Sequence, residues 1–221
     1  MIKIEKVAVH GMEEAIRGMR NPMNSWDKSD SGICKKLDGT FQVGKADHKL
    51  MMKLAAGGPV HAKYRRMIIV YLDITAPLYW WKEFDTYKIG TVANSCSTMH
   101  KIHQKKFGYD DFSYEHLLGC DNLNWGDIIP MNIFESVIQA LNFYREKYLE
   151  TEDKQYWWQM IQLLPSSYNQ KRTVMLNYEV LASIYPMRKN HKLDEWREFC
   201  QWIEKLPYSE IIVGDKEEIH E

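Results

Sequence analysis

The chain lacks the long apolar run of about 20 residues that a membrane-spanning helix needs. It also lacks an excess of either charge: Lys and Arg number 29 against 30 Asp and Glu, a formal net charge of -1. No global field therefore draws it to nucleic acid or to an anionic membrane. Cysteine is sparse. The four, Cys34, Cys96, Cys120 and Cys200, stand far apart, with no CxxC pair to suggest a zinc site or a dithiol centre. Their scatter, and the lack of a signal-peptide pattern, set the expectation of a cytoplasmic protein in a reducing compartment. No internal repeat and no low-complexity segment occurs.

What is present suits one large domain. The 221 residues are 45% hydrophobic and 13% aromatic, enough to bury a substantial core, and a single domain over 1–221 is expected. Residues 2–9 alternate as a strand does, and 12–20 read as a short helix stopped by Asn21-Pro22. Residues 21–45, rich in Asn, Ser, Asp, Gly and Lys, read as a long surface loop, and such loops are usually functional. A helix over 46–56 ends at Gly57-Gly58-Pro59. Residues 67–74 form a strand, and a helix with Pro77 in its first turn runs from Leu78 to about Tyr87.

In the second half, Ile133, Phe134, Val137, Ile138, Leu141 and Tyr144 keep a 3.6-residue period and predict a long helix around 134–148. Further helices are expected over 153–164, 177–188 and 193–206, with a brief strand at 173–176. The charged tail, 214–221, is expected to fray. The fold class is α+β, with a central antiparallel sheet and a helical C-terminal half.

Several motifs invite a function and mostly have a plainer explanation. His100 and His103 are spaced like metal ligands on a helix face, but no third or fourth ligand accompanies them, so no metal is assigned. Lys101, Lys105 and Lys106 beside Phe107 and Tyr109 could meet phosphates, although a solvated charged face is the commoner arrangement. Trp157-Trp158 suits packing. Cys96 differs, because Asn94, Ser95, Ser97 and Thr98 keep it at a polar surface.

The segment KADHKLMMKLAAGGPVHAKYRR, the block IIVYLDITAPLYWWKEFDTYKIGTVANSCST and the second block LLPSSYNQKRTVMLNYEVLASIYPMRKNHKLDEW carry a resemblance that spans roughly residues 46–205. Strand, Ala76-Pro77, helix and polar loop, then Leu-Pro, Asn177 at a helix start and Arg188 at its end, resemble the flavin-dependent thymidylate synthases, the ThyX family. The family signature Arg-His-Arg-x-x-Ser-x-Asn-Glu-x-Ser-x-Arg is degenerate here. Its first three positions read Thr86-Tyr87-Lys88, its first Ser is Thr91, its Asn-Glu is Ala93-Asn94, its second Ser is Cys96 and its last Arg is Thr98. Glu83 stands at a family Gln, and Ile161 at a family Arg.

The resemblance implies FAD as cofactor, a pyrimidine deoxynucleotide such as dUMP as substrate, and NADPH and methylenetetrahydrofolate as co-substrates. It implies one-carbon transfer to C5 of the base, in a homotetramer whose pockets form at subunit interfaces. Carried over by position, Tyr87, Lys88, Thr91, Asn94 and Asn177 fall on the cofactor side. Arg188, Cys96, Ser97 and Glu83 fall on the substrate side, with Cys96 and Glu83 as catalytic candidates. A lysine is only a point-charge substitute for a bidentate arginine, so a non-catalytic nucleotide-binding or interaction protein on the same fold is the alternative. Lys82, Lys171 and Arg172 are the cations able to compensate.

Overall fold

The computed structural model describes residues 1–34, 40–122 and 128–214. In chain order the elements are β1 (Lys3–His10), α1 (Met12–Arg20), β2 (Gly32–Cys34), β3 (Thr40–Gln42), α2 (Lys45–Ala56) and β4 (Ile69–Pro77). They continue with α3 (Leu78–Phe84), β5 (Val92–Ser95), α4 (Thr98–Lys101), α5 (Pro130–Thr151), α6 (Lys154–Leu163) and β6 (Asn169–Asn177). The last are α7 (Tyr178–Arg188), α8 (Asp194–Ile203) and α9 (Glu210–Val213). The fold is mixed helix and antiparallel sheet, as the residue pattern requires. The main sheet has the order β1-β4-β6-β5, and β2 pairs antiparallel with β3 in a separate hairpin, with Ile33 opposite Phe41.

The pairing of β4 with β6 is fixed by hydrogen bonds along its length. The Tyr178 N–H donates to the Ile68 carbonyl at 3.0 Å, and the Leu78 N–H to the Tyr168 carbonyl at 3.0 Å. Between them the Thr173 hydroxyl donates to Asp73 at 2.7 Å. Rising numbers on one strand meet falling numbers on the other, which is antiparallel pairing. Val70, Leu72 and Ile74 on β4 and Val174 and Leu176 on β6 are buried, the period of two that one covered face produces.

The chain divides into two compact units. The first comprises 1–3, 75–84 and 95–172, and the second 4–74, 85–94 and 173–221. The first is built on aromatic and aliphatic packing among Ile102, Phe107, Phe112, Phe134, Ile138, Leu141 and Met160. Phe134, Ile138 and Leu141 are spaced i, i+4, i+7 on α5, one face of a helix. Pro130 opens that helix and Glu152, in the left-handed region, closes it. The Asp153 carboxylate then caps α6 by accepting the Gln155 N–H at 2.9 Å. Trp80, Trp81 and Phe84 on α3 are buried with ring centroids 4.9–5.3 Å apart.

The second unit buries Ala15, Ile16 and Met19 of α1, Leu181 and Ile184 of α7, and Trp196, Phe199 and Ile203 of α8. At the start of α1, Gly11 takes φ 88°, and a Cβ there would lie 2.1 Å from the Met67 carbonyl oxygen. Only glycine meets both conditions.

Three expectations are corrected, and a fourth falls outside the described residues. The described part of 21–45, expected as a long surface loop, carries two 3₁₀ turns, Asn21–Met23 and Trp26–Lys28, and the paired strands β2 and β3. Asp47 holds them in place from within α2. It is fully buried and accepts Arg20 Nε at 2.6 Å, the Ser29 and Ser31 hydroxyls at 2.7 and 2.6 Å, and the backbone N–H groups of Asp30 and Ser31 at 3.1 Å. Pro77 ends β4 rather than standing within the helix, and that helix stops at Phe84 rather than Tyr87. The strand expected at 173–176 is the end of a longer one, because the polar run 169–172 is also paired sheet. The tail expected to fray at 214–221 lies outside the described residues beyond Gly214.

Candidate functional site

Of the residues singled out by sequence, Glu83, Cys96 and Ser97 belong to the first unit, and Tyr87, Lys88, Thr91, Asn94, Asn177 and Arg188 to the second. In the second unit the structure joins Arg188 to Tyr87. Arg188 closes α7, and its Nε donates to the Tyr87 hydroxyl at 2.8 Å. Its guanidinium carbon lies 4.6 Å from the Trp196 ring centre and 5.6 Å from that of Tyr87. Tyr87 and Trp196 themselves meet edge to face at 6.0 Å. A guanidinium held by aromatic faces keeps its charge and loses its rotational freedom, which pre-orients it toward an anion or a carbonyl.

Asn177 caps α7: its Oδ1 accepts the Val180 N–H at 3.0 Å. Capping is what an asparagine at this position does best, and it leaves the amide nitrogen as the donor available to a ligand. Gly90, at φ 79°, approaches that amide so closely that a Cβ would sit 3.0 Å from Asn177 Nδ2 and 3.1 Å from Val180. Next to it, Thr91 Oγ1 is buried with no hydrogen-bond partner among the described residues. Native structures seldom leave such an atom unsatisfied. Lys88 and Asn94 are exposed.

In the first unit Cys96 is exposed and its backbone is fixed on both sides. Its N–H donates to the Lys171 carbonyl at 2.9 Å, and its carbonyl accepts Gln170 Nε2 at 3.0 Å. Ser97 Oγ accepts the His100 N–H at 3.1 Å and caps α4. Glu83 lies half-buried on α3. Tyr168 has its hydroxyl pKa raised by burial first, then by the Asp111 carboxylate and the nearby Cys96 thiol.

A cluster that the sequence reading did not single out surrounds Gln170, which is only 8% exposed. Its Oε1 accepts Arg172 Nε at 2.9 Å, and its carbonyl accepts the Trp81 indole N–H at 2.9 Å. The Arg172 guanidinium carbon lies 4.2 Å from the Trp81 ring centre. Trp81, Gln170 and Arg172 thus form a clamp on the Cys96 segment. Gln170 and Arg172 alternate on one face of β6, a signal visible only once 169–172 is recognised as strand.

Among the described residues no group of three or more His, Cys, Asp or Glu side chains is placed to hold an ion. No described helix is long and apolar enough to cross a membrane.

No protein-family model matches the chain, and no curated protein matches it in sequence. Solved structures do. Thymidylate synthase X from Helicobacter pylori, crystallised with FAD and dUMP, aligns at a TM-score of 0.65 and 15% identity over 96% of this chain and 97% of that one. A second structure of the flavin-dependent thymidylate synthase ThyX of that organism, also with FAD and dUMP, aligns at 0.65 and 16% over the same shares. The fold is that of ThyX. A UMP/dUMP methylase, PolB from Streptomyces cacaoi, bound with 5-Br dUMP, aligns at a TM-score of 0.57 and 12% identity over 95% of this chain and 93% of that one. The ThyX fold thus extends along nearly the whole chain.

Proposed function

We propose that this chain is a divergent flavin-dependent thymidylate synthase-like protein, which binds FAD and a pyrimidine deoxynucleotide and transfers a one-carbon unit to C5 of the base. The observation that carries this reading is the near whole-length likeness to ThyX solved with FAD and dUMP and to a UMP/dUMP methylase. Cytoplasmic location and assembly as a homotetramer belong to the same reading. Light scattering after size exclusion tests the assembly, with the mass of four chains expected.

The donor set fits a flavin cofactor. Thr91 Oγ1 is buried and unsatisfied, and Asn177 keeps its amide nitrogen beside the open backbone of Gly90. The exposed Lys88 brings an ammonium for diphosphate charge, and Tyr87 and Asn94 complete the cofactor side. FAD, when bound, supplies the hydride that reduces the transferred carbon, with NADPH as its source and methylenetetrahydrofolate as carbon donor.

On the nucleotide side the second unit offers Arg188, held by Tyr87 and Trp196, for an anionic or carbonyl oxygen of the substrate, and the first unit offers Glu83 and Ser97 as polar groups for the base. Cys96 is the nucleophile in this reading. Its thiolate forms a bond to C6, and the electron pair of the C5–C6 double bond moves onto C5 and the O4 carbonyl. C5 then takes the one-carbon unit and gives up its proton to Glu83. The bond between that carbon and the folate nitrogen breaks to release tetrahydrofolate, and hydride would reduce the exocyclic methylene to a methyl group. Departure of the thiolate restores the double bond.

A second reading, binding without turnover, is favoured by side chains already committed to the fold. Asn177 Oδ1 and Ser97 Oγ serve as helix caps, and Arg188 Nε is bonded to Tyr87. Absorption spectroscopy and turnover separate the two. Protein that purifies yellow, or takes up FAD, and methylates dUMP with both co-substrates supports the first. Colourless protein that binds dUMP by calorimetry but refuses FAD supports the second.

A further inference from the structure

His100 and His103, which no part of the proposed chemistry uses, line a cavity of ≈ 480 Å³ in the first unit, between α4, the end of α5 and the start of α6. That volume lies within the range of small-molecule sites. Its walls are aromatic and soft. Tyr148 and Trp157 are half-buried beside the His103 ring, and Met99, 47% exposed, adds its thioether. Faces of this kind bury a planar guest and also attract an ammonium group.

The rim carries both signs. Glu152, which closes α5, and Lys154, which opens α6, are exposed and both line the cavity, with the exposed His100 as a further hydrogen-bonding group. A guest with a single charge meets one like charge here, whereas a guest with one of each sign has a partner for both. His103 adds a demand of its own. Its Nδ1 is buried with no hydrogen-bond partner among the described residues, a condition that native structures seldom leave unmet. A polar group arriving with the guest meets it.

The walls are held before any guest arrives. The Trp157 indole N–H donates to the Met99 carbonyl at 3.0 Å, which ties α6 to α4. The His103 and Tyr148 rings meet edge to face with centroids 5.1 Å apart. At the corner between α5 and α6, the Glu152 N–H donates to the Tyr148 carbonyl at 2.8 Å, and the Asp153 N–H to the Thr151 hydroxyl at 3.2 Å. Side chains and backbone already fixed need little further ordering, which removes one of the main costs of binding.

We propose that this cavity binds a small zwitterionic aromatic compound of the amino-acid type. Its ring lies against Tyr148 and Trp157, its ammonium group faces Glu152, and its carboxylate faces Lys154 and His100. The site belongs to the first unit alone and stands whether or not the chain binds flavin and nucleotide.

Calorimetry with L-tryptophan, tryptamine and indole-3-propionate tests it, since the three share a ring and differ in charge. One saturable site for L-tryptophan is expected, at least about tenfold tighter than for either singly charged analogue. Lys154→Glu should weaken L-tryptophan about tenfold or more and move the preference to tryptamine. Glu152→Asn should weaken L-tryptophan and tryptamine but spare indole-3-propionate. Asparagine tolerates the left-handed backbone, φ 55°, that Glu152 adopts. Both positions are exposed, and melting curves check that the variants fold. Absence of saturable L-tryptophan binding, equal affinity for the three compounds, or unchanged affinity in either charge variant overturns the proposal. So does displacement of L-tryptophan by dUMP, which would make the cavity part of the nucleotide site instead.

Discussion

Arg188 donates its Nε to the Tyr87 hydroxyl at 2.8 Å while its guanidinium lies against the Trp196 ring. One substrate-side and one cofactor-side candidate are therefore a single mechanical unit. Arg188→Ala should weaken dUMP binding by about 1.5–3 kcal/mol, the range for hydrogen bonds to charged groups. Tyr87→Phe keeps the ring and loses only the acceptor, and should cost about 0.5–1.5 kcal/mol. The double variant should lose less than the two together, because both act through one guanidinium. Full additivity in calorimetry, or unchanged affinity in Arg188→Ala and Lys88→Ala alike, would refute the assignment.

The Arg20–Asp47 pair makes stability depend on acid pH. Burial works to raise the Asp47 pKa, but hydrogen bonds from Ser29, Ser31 and Arg20, and the Arg20 charge, bring it below the usual value. A depressed carboxylate contributes stability that is fully present above its unfolded pKa of about 3.9 and is lost as pH falls through the folded value. Denaturant titrations should show wild-type stability level from about pH 7 to about pH 5 and falling below about pH 4. Asp47→Asn should cost about 3–5 kcal/mol at neutral pH, since it strands a buried guanidinium. It should also flatten the acid limb. An equally steep acid limb in Asp47→Asn would assign that pH dependence to other carboxylates.

The same aspartate shows where sequence reading reaches its limit. Asp47 stands in the first turn of an amphipathic helix, where acids are common for dipole reasons, and nothing in its neighbours marks it as buried. The region it organises therefore looks like loop. Strand β5 was hidden for the opposite reason. All four of its residues are exposed, so no alternation between covered and open faces exists to be seen. By contrast α5 was legible because Phe134, Ile138 and Leu141 repeat on one face over a long span. At the site, Tyr87, Asn177 and Arg188 came from the family resemblance alone, and Cys96 from its polar neighbours together with that resemblance. The clamp of Gln170 and Arg172 on Trp81 was not visible, since it depends on a strand register that a polar NQKR run conceals.

That clamp predicts a pattern of thiol reactivity. Cys96 and Cys120 are exposed, whereas Cys200 is buried and burial, with Glu204 nearby, pushes its thiol up to about 12. Near neutral pH iodoacetamide should modify Cys96 and Cys120 in the folded protein and spare Cys200 until denaturant is added, because only thiolates react. Gln170→Ala releases the Cys96 carbonyl and removes the Arg172 partner, so alkylation of Cys96 should accelerate several-fold with Cys120 unchanged as the internal reference. Peptide mass mapping reads both rates. An unaltered Cys96 rate in Gln170→Ala would mean that the Lys171 hydrogen bond alone holds the segment.

The nucleophile assignment for Cys96 makes the most exacting prediction. A thiolate is a far stronger nucleophile than a serine hydroxyl near neutral pH, and Cys96 stands where the ThyX signature carries serine. Addition to C6 of the pyrimidine makes C5 nucleophilic, and the reaction then depends on loss of the C5 hydrogen as a proton. A fluorine at C5 cannot leave in that way, so with 5-fluoro-dUMP the complex should stop with the S–C6 bond intact. Incubation with 5-fluoro-dUMP or 5-fluoro-dCMP should add the mass of one nucleotide to the intact chain without the folate, and of nucleotide plus methylenetetrahydrofolate with it, and Cys96→Ser should abolish both adducts. Exposure of the thiol and the two backbone hydrogen bonds that fix its peptide give it both access and orientation, the two things a nucleophile at this position needs. Full activity in Cys96→Ala would reduce the cysteine to a spatial substitute for serine, and the carbon transfer would then proceed without an enzyme-bound nucleophile.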